Sequence, residues 1–376
     1  MGEARVVLSF ARDEGHSRQS EGDFLRLKDG SIIFIYTRFI GQLAGDGRPA
    51  ELVKRISTDN GETWSKPEVV IRAERFNCQN VMSVSLLRMA NGDLGLFFTA
   101  KVVPTWGSKF ILARSKDEGK TFNEFYDASH EFFFGRGGAN NSRVERLSNG
   151  RIVFPMSHHP GSKKEPLFEG HKPRTSPYTM GTMMYSDDDG YTWHQSEDWV
   201  FPNFTNTEKG LQEGEIVEIR PGILKMFLRS DKMYQYEAVS YDNGIHWSTP
   251  TPSIFTSNCS PITICKNPYT NKRYAIWNPQ QRYNGRECGF VDSGRTPFAI
   301  AEVDDTINNI IKMKYIEDDP DHAYSYAATF FTKDDELLLG YCSGGPEDRH
   351  SLSRMSIAKI DLNIFSDESK KEKKKK

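Results

Sequence analysis

The chain has 376 residues, is 37% hydrophobic and carries a formal net charge of −2. That length supports one large core or two modest ones, and balanced charge leaves no basic footprint for nucleic acid. No stretch approaches a membrane span, and five scattered cysteines (Cys78, Cys259, Cys265, Cys288, Cys342) show neither metal-ligand spacing nor a small-disulfide framework, so no cofactor or metal is expected.

The amino-terminal residues Met1 to Arg5 carry no secretory signal; a leader replaced by Met-Gly would mean a secreted or periplasmic protein, and the compartment stays open. Val6–Phe10 reads as a strand without a turn partner of its own. Then a turn of Asn, Asp and Gly between two apolar β-runs recurs six times: at Asp29-Gly30, Asn91-Gly92, Asn149-Gly150, Pro221-Gly222, Asn271-Lys272 and Asp334-Asp335. Each reads as a hairpin.

Four of these hairpins are followed by a second signal, Ser-x-Asp-x-Gly-x-Thr/His-Trp/Phe. Its copies begin at Ser57, Ser115, Ser186 and Ser240, roughly 55 to 70 residues apart. Asp59, Asp117, Asp188 and Asp242 bond their own backbone across a tight turn, glycine closes it with a positive φ, and the aromatic residue plugs it from below. Ala301–Thr306 stands where a fifth copy would fall. Six units of four strands predict an all-β fold, a six-bladed β-propeller of antiparallel blades. Val6–Phe10 and Met355–Asp361 would share the last blade and close the ring. Residues 1–366 are expected to form this single domain, and 367–376 a solvated, disordered lysine-rich tail.

Propeller sites lie where the inner strands begin and converge on the axis. About ten residues before the hairpin turns stand Arg18, Asn80, Asn141, Glu213 and Tyr324, with Ser260 or a neighbour in the fifth unit. Such a polar ring suggests a binding site. Arg38 and Arg229 close the second strands of units one and four, and Arg295 opens a late strand of unit five. Guanidiniums converging there would clamp a carboxylate.

Four boxes on six hairpins, across about residues 5 to 362, resemble the sialidase (neuraminidase) superfamily of Asp-box propellers. The resemblance implies an exo-acting glycoside hydrolase that releases a terminal acidic sugar, sialic acid or a relative, with retention. It implies a carboxylate-binding triad of Arg18, Arg229 and Arg295, a nucleophile at Tyr324 in Ala323-Tyr324-Ser325, its glutamate partner at Glu213, an acid/base at Asp46 and a further arginine at Arg38. Arg18-Gln19-Ser20-Glu21 stands where the family has Arg-Ile-Pro, which brings an extra carboxylate, Glu21, beside the site. A neutral tyrosine suits a substrate whose anomeric carbon bears a carboxylate, because it avoids the repulsion a carboxylate nucleophile would meet. The expected partner is an acidic glycan. Two alternatives stand beside this reading: a hydrolase or lyase for another acidic glycan, such as a uronate or ulosonate glycoside, and a non-catalytic glycan-binding propeller.

Overall fold

The computed structural model describes residues 3–102, 107–129, 136–159, 178–279 and 294–366; Cys288 and the lysine-rich tail lie outside the described residues. Six antiparallel sheets carry the chain. The first blade is β2 (His16–Arg26), β3 (Ile32–Ile40), β4 (Ala50–Ser57) and β5 (Glu68–Arg72). The second is β6 (Asn80–Arg88), β7 (Leu94–Val102), β8 (Gly107–Ser115) and β9 (Glu124–Asp127). In the third, two short strands, β10 (Arg136–Gly138) and β11 (Glu145–Arg146), share the inner edge of β12 (Ile152–His159), followed by β13 (Met180–Ser186) and β14 (His194–Gln195).

The fourth blade is β15 (Gln212–Arg220), β16 (Ile223–Arg229), β17 (Tyr234–Ser240) and β18 (Thr251–Thr256). The fifth is β19 (Thr263–Lys266), β20 (Arg273–Trp277), β21 (Phe298–Val303) and β22 (Ile310–Glu317). The sixth takes β23 (Ser325–Lys333), β24 (Glu336–Cys342) and β25 (Met355–Asp361) from the carboxyl end and β1 (Arg5–Phe10) from the amino end. β1 pairs with β25 from Arg5↔Lys359 to Phe10↔Met355, the ring closure expected of the two unpartnered strands. Among the described residues, helix amounts to short 3₁₀ turns such as Ala73–Phe76, Pro346–Asp348 and Leu362–Phe365.

The hydrophobic clusters lie between blades: Ile33 and Leu52 of blade one pack with Leu96 and Phe98 of blade two, and Ile276 and Ile300 of blade five with Leu337 and Leu339 of blade six. The box turns reinforce these seams. In the third box Ser186 Oγ donates to Asp188 Oδ1 at 2.8 Å, and Asp188 accepts from the Thr192 amide at 2.8 Å and its hydroxyl at 2.6 Å. Trp193 sits beneath, edge-on to Phe97 of blade two, its indole N–H on the Gly190 carbonyl at 3.0 Å. A Cβ on Gly190 would stand 2.7 Å from Leu112 of the preceding blade, and one on Gly244 2.2 Å from Met183. These glycines thus meet two demands at once, positive φ and contact with the next seam.

The degenerate fifth turn keeps the geometry without the motif. Asp304 accepts from the Asn308 amide at 2.9 Å, the same four-residue reach as in the boxes, with Ile307 at φ 54°.

Candidate active site

The inner strands do not run straight to the axis. Register breaks occur at Ser20/Asp23 in β2, Met82/Ser85 in β6, Gln212/Gly214 in β15 and Ser325/Ala328 in β23. Each break holds a non-glycine residue at positive φ: Glu21 (52°), Ser83 (63°), Glu213 (40°) and Tyr326 (59°). Ser142 (55°) occupies the matching gap between β10 and β11. A β-bulge inserts one residue and re-aims its side chain, at a backbone cost of about 1–3 kcal/mol per residue. Repeated around a ring, the device brings side chains of different blades together at the axis.

Two of these residues meet. The Tyr326 hydroxyl donates to Glu213 Oε1 at 3.0 Å, and Arg229 Nη1 donates to Glu213 Oε2 at 2.5 Å. The Arg295 guanidinium lies 5.4 Å from the centre of the Tyr326 ring, and its Nη1 donates to Ser325 Oγ at 3.1 Å. Burial works to raise the Glu213 carboxyl, but Arg229, helped by Arg295 and the Tyr326 hydroxyl, holds it below the ordinary glutamate value. Burial, reinforced by the charge of Glu213, pushes the Tyr326 phenol well up against the pull of the two arginines. The resting pair is therefore a neutral phenol donating to a carboxylate.

Beside this pair opens a cavity of about 370 Å³, lined among others by Lys209, Arg229, Cys259, Arg295 and His350. The Arg295 Nε is buried without a hydrogen-bond partner among the described residues.

A second group forms around Arg18. Its Nη1 reaches Asp46 Oδ1 at 2.6 Å and the Ala44 carbonyl at 3.2 Å, its Nη2 reaches Glu21 Oε2 at 2.9 Å and its Nε reaches Ser20 Oγ at 2.8 Å. Burial outweighs Arg18 and lifts Glu21 above the ordinary glutamate value. Asp46, with a side chain 58% exposed, goes the other way: Arg18 and Lys101 overcome its desolvation and hold it well below the usual carboxylate range.

Several sequence-predicted positions fall elsewhere. Tyr324 does not reach Glu213 in the way expected of it. Its ring lies in the seam between blades five and six, among Phe298, Tyr341 and His322. Tyr326, two residues on, holds the bulge and the glutamate. Arg38 is engaged across the strand with Glu51, at 3.0 and 2.5 Å, and Glu51 also accepts from Arg72. Asn80 and Asn141 are fully buried and brace backbone: Asn80 Nδ2 donates to Arg48 O at 2.7 Å, and Asn141 Nδ2 to Gly22 O at 2.9 Å and Tyr326 O at 3.2 Å. They thereby fix the Asp46 loop and two of the axial bulges. Arg229 and Arg295 do line one cavity; Arg18 is not among its lining residues.

A stricter count would have found Tyr326. Glu21, Ser83, Glu213 and Tyr326 each stand nine residues before their turn residue, Gly30, Gly92, Gly222 and Asp335.

Comparison with known proteins agrees with this architecture. The BNR repeat-like domain family matches residues 46–340. Among curated proteins, an anhydrosialidase from Macrobdella decora is 28% identical over 197 residues, which cover 49% of this chain and 24% of that protein. The match thus spans about a quarter of that relative's length. Among solved structures, the Hadza microbial sialidase Hz136 superposes with a TM-score of 0.70 at 14% identity, over 96% of this chain and 69% of that one. A protein of unknown function from Dyadobacter fermentans gives 0.67 at 16%, over 96% and 100%. A Trypanosoma rangeli sialidase, in complex with 2,3-difluorosialic acid as a covalent intermediate, gives 0.63 at 16%, over 91% and 54%. At these identities the structural likeness concerns the fold.

Proposed function

We propose that this chain, which belongs to the BNR repeat-like domain family, is an exo-acting glycoside hydrolase that removes a terminal acidic sugar by a retaining mechanism with Tyr326 as nucleophile. The observation that carries the reading is the Tyr326 hydroxyl on Glu213, held between Arg229 and Arg295 beside an open cavity. Arg229 and Arg295 hold the substrate carboxylate. The Tyr326 oxygen attacks the anomeric carbon and its proton passes to Glu213, which the arginines keep ionised and ready to receive it.

Asp46 serves the leaving oxygen. At rest it is ionised. A bound aglycone covers the exposed carboxyl and strips its water, which raises its pKa and lets it take up a proton. That proton goes to the departing oxygen as the glycosidic bond breaks. In the second half Asp46, again a carboxylate, takes a proton from water as the water attacks the glycosyl–tyrosine carbon, and Glu213 returns its proton to Tyr326. Glu21 accepts from Arg18 Nη2 and so helps to set the guanidinium that holds Asp46.

A panel of fluorogenic glycosides of sialic acid, other ulosonic acids and uronic acids tests the proposal. Release of at least one acidic sugar is expected, with the first-formed product retaining its anomeric configuration by NMR. Binding of the free acidic sugar without cleavage of any glycoside would overturn it in favour of a glycan-binding propeller.

A further inference from the structure

Arg18 is closed off from a ligand carboxylate, with four of its five N–H groups already bonded. Its Nε and both terminal nitrogens are committed to Ser20, Asp46, Ala44 and Glu21, its guanidinium lies 4.5 Å from the Phe39 ring centre, and it is 1% exposed. Arg229 and Arg295 nevertheless share their cavity with another cation, Lys209, and the cavity's lining includes no carboxylate among the described residues. We propose that Lys209 is the third cation of the anion clamp, acting with Arg229 and Arg295, and that Arg18 is a positioning residue for Asp46. The proposal rests on the reading of this pocket as the seat of an acidic sugar.

The loop that carries Lys209 is built to hold it. Thr207 Oγ1 donates to Asp231 Oδ1 at 2.7 Å, and the Glu208 amide to Asp231 Oδ2 at 2.7 Å. The Lys209 and Gly210 amides both donate to Thr207 Oγ1, at 3.2 and 2.8 Å. Asp231 lies two residues beyond Arg229 at the end of β16, so the same blade end positions both cations. The Lys209 ammonium makes no ion pair among the described residues, and the Arg295 Nε, on a side chain more than nine-tenths buried, has no acceptor there. Three cations, Arg229, Arg295 and Lys209, lining one cavity without a carboxylate among its described lining residues are what a bound carboxylate would complete. A lysine is a point charge on a flexible stem, so it suits the outer oxygen of a carboxylate whose inner face the arginines fix.

Titration calorimetry with free sialic acid, glucuronic acid and their methyl esters tests this on the whole chain. Lys209→Met should weaken binding of the acid about 10- to 100-fold and leave the ester unchanged. Lys209→Arg should restore most of the loss. Arg18→Lys should bind the acid within about twofold of the native protein while lowering turnover. Acid binding by Lys209→Met equal to that of the native chain, with Arg295→Ala still weakened, would overturn the Lys209 assignment and leave the proposed function standing. Lys209-dependent binding without cleavage of any acidic glycoside would support the clamp and remove the hydrolase reading. A native chain that prefers neither acid over its ester would remove both.

Discussion

The box turns and the axial bulges use the same materials, non-glycine residues at positive φ and short side-chain hydrogen bonds, at opposite ends of a blade. In blade one, Arg26, Ile32 and Ser57 align across the strands at the box end, while the Glu21 bulge lies toward the other end of β2. At the box end the partners are near neighbours in sequence, such as Ser186, Asp188 and Thr192. Where a bond crosses between blades, it joins one turn to the next: Glu118 accepts from the Lys28 amide, and Asp189 from the Ala90 amide. At the axis the partners lie 113 residues apart for Tyr326 and Glu213, and 185 for Asn141 and Tyr326. The first arrangement can form as each hairpin folds; the second exists only once the ring has closed. Stability and chemistry should therefore separate by mutation.

The largest expected effect is at the axis. Tyr326→Phe keeps the ring over Arg295 but removes the attacking oxygen, so kcat should fall by about 10³-fold or more with acidic-sugar binding retained. Tyr324→Phe, a change within the inter-blade seam, should alter kcat by less than about threefold. The reverse pattern in steady-state kinetics would return the nucleophile to Tyr324.

At the box end, Gly244→Ala places a methyl 2.2 Å from Met183 at φ 87°, and should cost about 2–3 kcal/mol of stability. Denaturant unfolding would show it; a loss below about 0.5 kcal/mol would mean that the seam adjusts freely. Asp188→Ala should cost about 1–2 kcal/mol, since the carboxylate is solvent-exposed though it accepts three hydrogen bonds. Turnover per folded molecule should stay unchanged. A fall in kcat at constant melting temperature would break the separation.

The smallest effect is a pH dependence. Asp242 is held at about 2, its partial desolvation outweighed by hydrogen bonds from the backbone and side chain of His246, so its contribution is present above the usual aspartate range and lost as pH falls through about 2. His246, where the other boxes have Thr, is raised by its bond to Asp242. That contribution is complete below the unfolded histidine pKa and lost as pH rises through the folded one. His246→Thr should therefore flatten the melting temperature between about pH 6 and 8 relative to the native protein; an unchanged slope would assign the dependence elsewhere.

The ring was legible in the chain before folding. Box and hairpin signals depend on φ-permissive residues and side-chain bonds reaching four residues or fewer, so they are written locally, and blade number, closure by Val6–Phe10 and the structural role of the box aspartates could all be read from them. Glu213, Arg229 and Arg295 were also legible as neighbours, because their repeat positions place them at one end of adjacent blades. Tertiary structure decided which tyrosine meets the glutamate. A count of about ten residues to the turn does not separate Tyr324 from Tyr326, and the bulge, with Tyr326 at φ 59°, is what turns that side chain to the glutamate. It also decided where Arg18 is spent, since Asp46 comes from a loop 28 residues away and only packing brings it onto the guanidinium. Lys209 stayed invisible for the same reason: no repeat or motif marks it, and only the folded loop across Asp231 brings it to the arginines.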